Sequence, residues 1–458
     1  MSRPAPHPVT APVRRDDPPP DHAWLAHRRA NVVWGSVLVT VLVGPSVIWM
    51  LRSGPQPLLH HMSVLTGLLA LSAMVVVAVL PSRVRGLSGA LGLETLLGLH
   101  RRLGVLAGAL VALHLACVVA DRPERVGLLV PTAAPARGQA ATMATVAIGV
   151  LLVLAVRGVR SGTHEVWRWV HLSLAALVVG ASALHVLWLG NLVADAVMGP
   201  VLSGLGLLLV AVLVLRWGAR AGGGEFRVHV VRPESPTVST LVLARRGRHT
   251  GPWFRPGQFA WLRLERMSVE EHPFTIASSA ADGGRIEFTV RHTGDFASRL
   301  RELDRGARVW VDGPYGSFTP DAVPSTGLVL IAGGVGITPM MSMLRTAADR
   351  GDRRPYRLVV HARDRADLLF RAELAHLRTC LDLQVTQVLR RPAPNWGGAT
   401  GPIDTTLLAA VLTDMEEPGR RLDYFVCGRP QLVTDVLDTL GALGVPEDRV
   451  HTEQFAQV

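Results

Sequence analysis

HRRLGVLAGALVALH, residues 100–114, sets two histidines fourteen residues apart in a run that is otherwise mostly apolar and spaced by glycines. On an α-helix this separation places the rings about 21 Å apart along the axis and within about 40° of one face. Such a span fits inside a hydrocarbon layer about 30 Å thick. The same spacing returns in HLSLAALVVGASALH, residues 171–185. Two helices carrying these stretches would face each other with stacked pairs, His100 with His171 and His114 with His185. Two such pairs are two bis-imidazole iron sites. One intramembrane histidine alone reads equally well as a hydrogen-bonded packing residue, but the duplicated spacing favours ligation. Ionisable groups in lipid are costly and mark functional paths, and neutral imidazole is a common ligand of haem iron.

The chain has 458 residues with 18% charged and a mean hydropathy of +0.30, which points to a multidomain membrane protein. Its net charge of +11 comes from arginine alone, since no lysine occurs anywhere. That is a compositional bias, and no nucleic-acid partner is expected. Cys117, Cys380 and Cys427 are too few and scattered for a disulfide framework, a zinc site or a four-cysteine iron-sulfur cluster. Residues 1–30, rich in proline and arginine, are expected to form a disordered cytoplasmic tail.

Six apolar runs, near 31–51, 60–81, 96–120, 140–157, 166–189 and 199–217, are each long enough to span a bilayer. Arginines cluster at 14, 15, 28 and 29, at 83, 85, 101 and 102, at 157, 160 and 168, and at 216 and 220, so the positive-inside rule places both termini in the cytoplasm of a multi-pass cell-membrane protein. The third and fifth helices then run the same way, which puts His100 level with His171 and His114 level with His185. Arg101, Arg102 and Arg168 stand where haem propionates would need cations, and serve equally as ordinary positive-inside charges.

AGGG at 221–224 breaks the apolar pattern, and the expected units are a six-helix transmembrane haem-binding bundle at 31–221, an antiparallel β-barrel at 222–322 and an α/β parallel-sheet nucleotide-binding domain at 323–458. In the barrel, HPFT (272–275) offers His272 and Pro273 and sets Phe274 and Thr275 where an aromatic face and a hydroxyl could hold an isoalloxazine ring. GDFASRL (294–300) supplies Gly294, a helix N-terminus and Ser298 for a flavin pyrophosphate, with Arg291 nearby. GGVGITP (333–339) brings Gly333, Gly334 and Gly336, then Thr338 and Pro339, to a strand-to-helix turn that lets a pyrophosphate approach the backbone. In CGRP (427–430) the Cys427 thiol, beside Gly428, could lie against a nicotinamide, or it is a buried small hydrophobe. Arg363 or Arg365 in HARDRADLLF could pair with a 2′-phosphate, which leans the reading to NADPH over NADH.

PGQF (256–259), HPFT, DGPYG (312–316), GGVGITP, CGRP and EQF near the C-terminus together resemble the ferredoxin-NADP reductase superfamily. The HPFT form and the paired histidines on the third and fifth of six helices resemble its NADPH oxidase and ferric reductase branch, over about residues 31–455. The resemblance implies FAD in the barrel, NAD(P)H on the sheet and two b-type haems in the membrane. It also implies that Phe455 shields the flavin face until nicotinamide displaces it, although AQV follows here where family members commonly end. No DxDxDG loop is present, so calcium control is not expected. The expected activity is that of an NAD(P)H-dependent flavocytochrome b, which carries electrons from cytoplasmic NAD(P)H to an outer acceptor, either oxygen or a ferric chelate. The alternative is a membrane subunit that donates electrons to a partner protein.

Overall fold

The computed structural model describes residues 21–130, 132, 134–156, 164–221, 224–245, 253–268, 270–282, 284–415 and 419–454. Phe455, the tail before residue 21, and Arg157 and Arg160 lie outside them. Chain contacts divide the molecule into a unit spanning Ala30–Gly218 and a second unit containing Ala219–Val458.

The first unit is helical: α1 (Asp21–Arg52), α2 (Leu58–Val79), a short α3 (Arg85–Leu91), α4 (Leu93–Asp121), α5 (Ala136–Val156), α6 (His164–Leu189), a single turn α7 (Asn191–Ala194) and α8 (Met198–Ala221). Six of these are long and apolar enough to cross a membrane, and the protein is a multi-pass membrane protein. Helix α1 already takes in residues 21–30, which the sequence reading gave to the tail. Gly92, at φ +76°, separates α3 from the histidine-bearing α4. α2 packs chiefly on α4, and α5 on α6. Ala73, Ala107, Ala147 and Val178 form a close-packed middle layer between the helices. Outward, large apolar side chains such as Val146, Leu207 and Leu215 stand 60–69% exposed, an arrangement that needs lipid to cover it.

The second unit holds two sheets. β1 (Gly224–Ser235), β2 (Val238–Arg245), β3 (Phe259–Arg263), β4 (His272–Thr275), β5 (Arg285–Arg291) and β6 (Arg308–Tyr315), with α9 (Gly294–Arg301) between the last two, make an antiparallel sheet of order β4-β3-β6-β1-β2-β5. Among the described residues its edges meet through one bridge, Ile276 with Phe288, so the sheet curls towards a barrel with no closing ladder among them. The parallel sheet, order β10-β9-β8-β7-β11-β12, is built from β7 (Gly327–Gly333), α10 (Ile337–Arg350), β8 (Tyr356–Ala362), α11 (Arg371–Cys380), β9 (Leu383–Leu389), β10 (Ala399–Thr400), α12 (Thr405–Leu412), β11 (Leu422–Gly428), α13 (Pro430–Ala442) and β12 (Val450–Gln454). Its central strand β7 reads as an unbroken apolar run, and β8 and β11 carry apolar stretches (Leu358–Val360, Tyr424–Cys427), because helices cover both faces.

α10 fastens one sheet to the other. Arg345, 10% exposed, pairs with Glu373 of α11 at 2.6 Å and with Glu287 of β5 at 3.1 Å, and donates to the Ala277 carbonyl at 2.7 Å. Ser342 Oγ donates to the Ser278 carbonyl, and Thr346 Oγ1 accepts from Ala280 N–H.

Candidate functional site

In the membrane unit the ring centroids of His100 and His171 lie 6.0 Å apart, with the ring planes tilted by 59°. Three of the four histidines are held through Nδ1 by main-chain carbonyls: His100 by Val77 at 3.0 Å, His114 by Ser63 at 2.7 Å and His185 by Arg137 at 2.9 Å. A carbonyl can only accept, so Nδ1 carries the hydrogen and the neutral ring keeps its lone pair at Nε2. That is the tautomer a metal-ligating histidine needs, with its second nitrogen fixing the ring. Gly67 makes room for His114, since a Cβ there would lie 3.0 Å from its Nδ1.

All four rings are half-buried. No cluster of three or more His, Cys, Asp or Glu suited to a metal ion is present among the described residues. A haem iron asks the protein for only two axial side chains, so paired histidines fit it. Arg101 and Arg102 are exposed, and Arg168 is half-buried and already engaged.

In the antiparallel sheet, strand register brings three motifs together. Phe259 of PGQF pairs with Thr275 of HPFT on one side and with Tyr315 of DGPYG on the other. Gly257, at φ +90°, is obligatory, because a Cβ would lie 2.2 Å from the Phe318 carbonyl. Thr275 is buried and its Oγ1 has no hydrogen-bond partner. Such a group is costly to leave unpaired, and a ligand with an acceptor or donor in this cleft would satisfy it.

His272 and Phe274 both lie over Phe296 of α9, at 4.4 and 6.1 Å between centroids. Phe274 therefore packs on one side and keeps partial exposure, while Pro273 is exposed. Arg291, at the end of β5, has a buried, unpartnered Nε, and its Nη2 reaches Gly334 of the nucleotide turn. Gly294 opens α9 at φ +79°. Ser298 Oγ donates to the Gly294 carbonyl at 3.0 Å and is thereby satisfied within its own helix.

The nucleotide turn is shaped by what its residues lack. A Cβ on Gly336 would stand 2.3 Å from the Cys427 carbonyl, and one on Gly333 2.2 Å from Leu432 Cδ2. Gly428 lies beside Gly333 for the same reason. Gly334 turns the chain at φ +59°. Helix α10 then begins with no side chain capping its first N–H groups, the usual form of a phosphate-binding terminus. Thr338 Oγ1 is turned back to the Val335 carbonyl at 2.6 Å, and Thr338 and Pro339 are buried.

Cys427 is fully buried in the core cluster beside β7, the small-hydrophobe side of its two readings. Arg363 is held by Asp367 at 3.0 Å and Asp364 at 3.8 Å. Arg365 is exposed in the following turn, so it is the better placed of the two for a phosphate. Sequence reasoning missed the carbonyls of Ser63, Val77 and Arg137, Gly67, Arg345, and His361 at the end of β8.

Residues 66–182 match the family model of the ferric reductase like transmembrane component, residues 239–319 that of an FAD-binding domain, and residues 330–438 that of an oxidoreductase NAD-binding domain. Ferredoxin--NADP reductase B of Sorangium cellulosum is 30% identical over 239 residues, which are 50% of this chain and 97% of that protein. The reductase component of propane 2-monooxygenase of Mycolicibacterium goodii is 29% identical over 237 residues, 50% of this chain and 68% of that protein. The flavohemoprotein of Bordetella pertussis is 27% identical over 263 residues, 54% and 64% of the two chains.

Proposed function

The chain belongs to the ferredoxin-NADP reductase family through its C-terminal half and carries a ferric reductase-like transmembrane component ahead of it, the NADPH oxidase and ferric reductase architecture, and from that premise we propose that it is a flavocytochrome b of the cell membrane that carries electrons from cytoplasmic NAD(P)H to an acceptor on the outer side. The observation that supports this most is the Nδ1 anchoring of three histidines spaced for two bis-imidazole sites. Bound flavin supplies the conversion of hydride transfer to single-electron transfer, and bound haems supply one-electron carriers within the membrane.

The chain's own part is to hold these groups and keep water out. His100 with His171 would hold one haem and His114 with His185 the other, the Nδ1 anchors leaving Nε2 lone pairs on His100, His114 and His185. Thr275 Oγ1 and the Arg291 guanidinium offer unpaired donors to a flavin. The Gly333–Gly336 turn and the start of α10 receive nucleotide phosphates. Arg365 favours NADPH over NADH. Cys427, packed beneath the turn, sets the floor of the nicotinamide side.

The outer acceptor, oxygen or a ferric chelate, is tested by sidedness. In vesicles with the reductase unit outward, external NADPH should reduce ferricyanide trapped inside. Lack of internal reduction, with external NADPH consumed, contradicts the transmembrane route. Relatives named as reductase components favour a second reading, delivery to a partner protein. In that case the purified chain would reduce flavin rapidly but turn over little with oxygen or ferric citrate.

A further inference from the structure

His361 closes β8 directly opposite Gly333 in the β7–β8 register, at the carboxyl edge where an open α/β sheet receives its ligand. Its Nε2 is buried and has no hydrogen-bond partner. Two cations act on the ring, Arg390 after β9 and Arg429 after β11, and a third, Arg291, reaches Gly334 in the facing turn of β7, which otherwise brings glycines and Val335. The carboxylates of the turn after β8 are committed elsewhere: Asp364 accepts from Ala366 and Asp367 N–H, and Asp367 holds Arg363. A polar nitrogen is thus kept unpaired among positive charges at the phosphate-binding edge.

We infer that His361 is a nucleotide-contacting residue that takes up a proton as the dinucleotide binds, its Nε2–H donating to the incoming cofactor. The inference rests on the nucleotide-binding reading above. Without ligand, burial lowers the affinity of the ring for a proton, a backbone contact with Gly401 opposes this, and Arg390 and Arg429 lower it further. The ring is therefore neutral near pH 7. Phosphates set against the two arginines cancel the repulsion and favour the imidazolium. Because the bound form has the higher pKa, affinity is greatest at low pH. It falls as pH rises through the range between the free and bound pKa values, by at most about tenfold per pH unit.

The test is calorimetric titration of NADP+ into the flavin-loaded full chain between about pH 6 and 8, in two buffers of different ionisation enthalpy. It is repeated with NAD+, which lacks a titrating phosphomonoester, and with His361→Gln and His361→Asn, whose retained flavin absorbance reports folding. The expected result is uptake of up to one proton by the parent protein with both nucleotides, lost in both variants along with the pH dependence of NAD+ affinity. Nucleotide binding with equal proton uptake in parent and variants overturns the inference and leaves the nucleotide site intact. Absence of nucleotide binding to the flavin-loaded parent protein overturns the reading of the site, and the inference with it.

Discussion

In the membrane unit, function is carried by side chains that main-chain carbonyls hold in place; in the nucleotide sheet it is carried by side chains left out. Val77 and Ser63 of α2 anchor His100 and His114 of the neighbouring helix, so each ring is a replaceable part on a helix that stands without it. Gly333, Gly336 and Gly428 instead let two strand ends and a helix start converge, and a single added carbon would meet the Cys427 carbonyl at Gly336 and the Leu432 side chain at Gly333 and Gly428. Loss at the first site should therefore remove a cofactor and spare the fold. Gain at the second should disturb the fold and the ligand together.

The sharpest way to break this comparison is His171→Ala or His100→Ala. Either should abolish one haem per chain and electron delivery across the membrane, while NAD(P)H still bleaches the flavin. Haem content by extraction checks it, and retention of two haems would contradict the pairing of these rings. Arg345→Met comes next. It takes one cation from the half-buried Glu373 and one from the buried Glu287, and breaking such a pair costs at most about 3–5 kcal/mol, read as an earlier release of flavin fluorescence on heating. Gly336→Val should cost about 1–3 kcal/mol through overpacking against the Cys427 carbonyl and should weaken nucleotide binding more than flavin binding. Equal binding would show that the turn yields.

Thr275→Val tests the antiparallel sheet on its own. If the orphaned hydroxyl meets the flavin, FAD affinity should fall about fivefold, in keeping with a net hydrogen bond of about 1 kcal/mol. If it does not, removing an unsatisfied buried hydroxyl should stabilise the protein. The smallest effect is expected from the exposed arginines. Arg365→Ala should reduce the preference for NADPH over NADH by about fivefold at most, and Arg363→Ala by less, since two carboxylates already hold Arg363.

The same comparison explains what was legible in the sequence. Histidines and glycines are visible in the chain, so the four candidate ligands, the six spanning helices and the nucleotide turn could be read from spacing and pattern. Ser63 and Val77, fourteen residues apart on α2 as His100 and His114 are on α4, could not, because their contribution is a carbonyl and every residue has one. Arg345 could not be told from other arginines in a chain without lysine, as its carboxylate partners lie 28 and 58 residues away. The thiol of Cys427 had two readings because its motif ends a strand, and its burial comes from the core cluster it shares with Ile337 and Met340 of α10, partners set by the fold and not by the motif. The barrel was legible as short strands, but its closure by a single bridge depends on register, which no local pattern encodes.

The most direct test of transmembrane electron flow is the anaerobic visible spectrum of the purified full chain before and after NADPH is added. Flavin bleaching followed by sharp b-type haem bands is the expected result. Protein that lacks haem altogether, with flavin that bleaches normally, would contradict the four-histidine account.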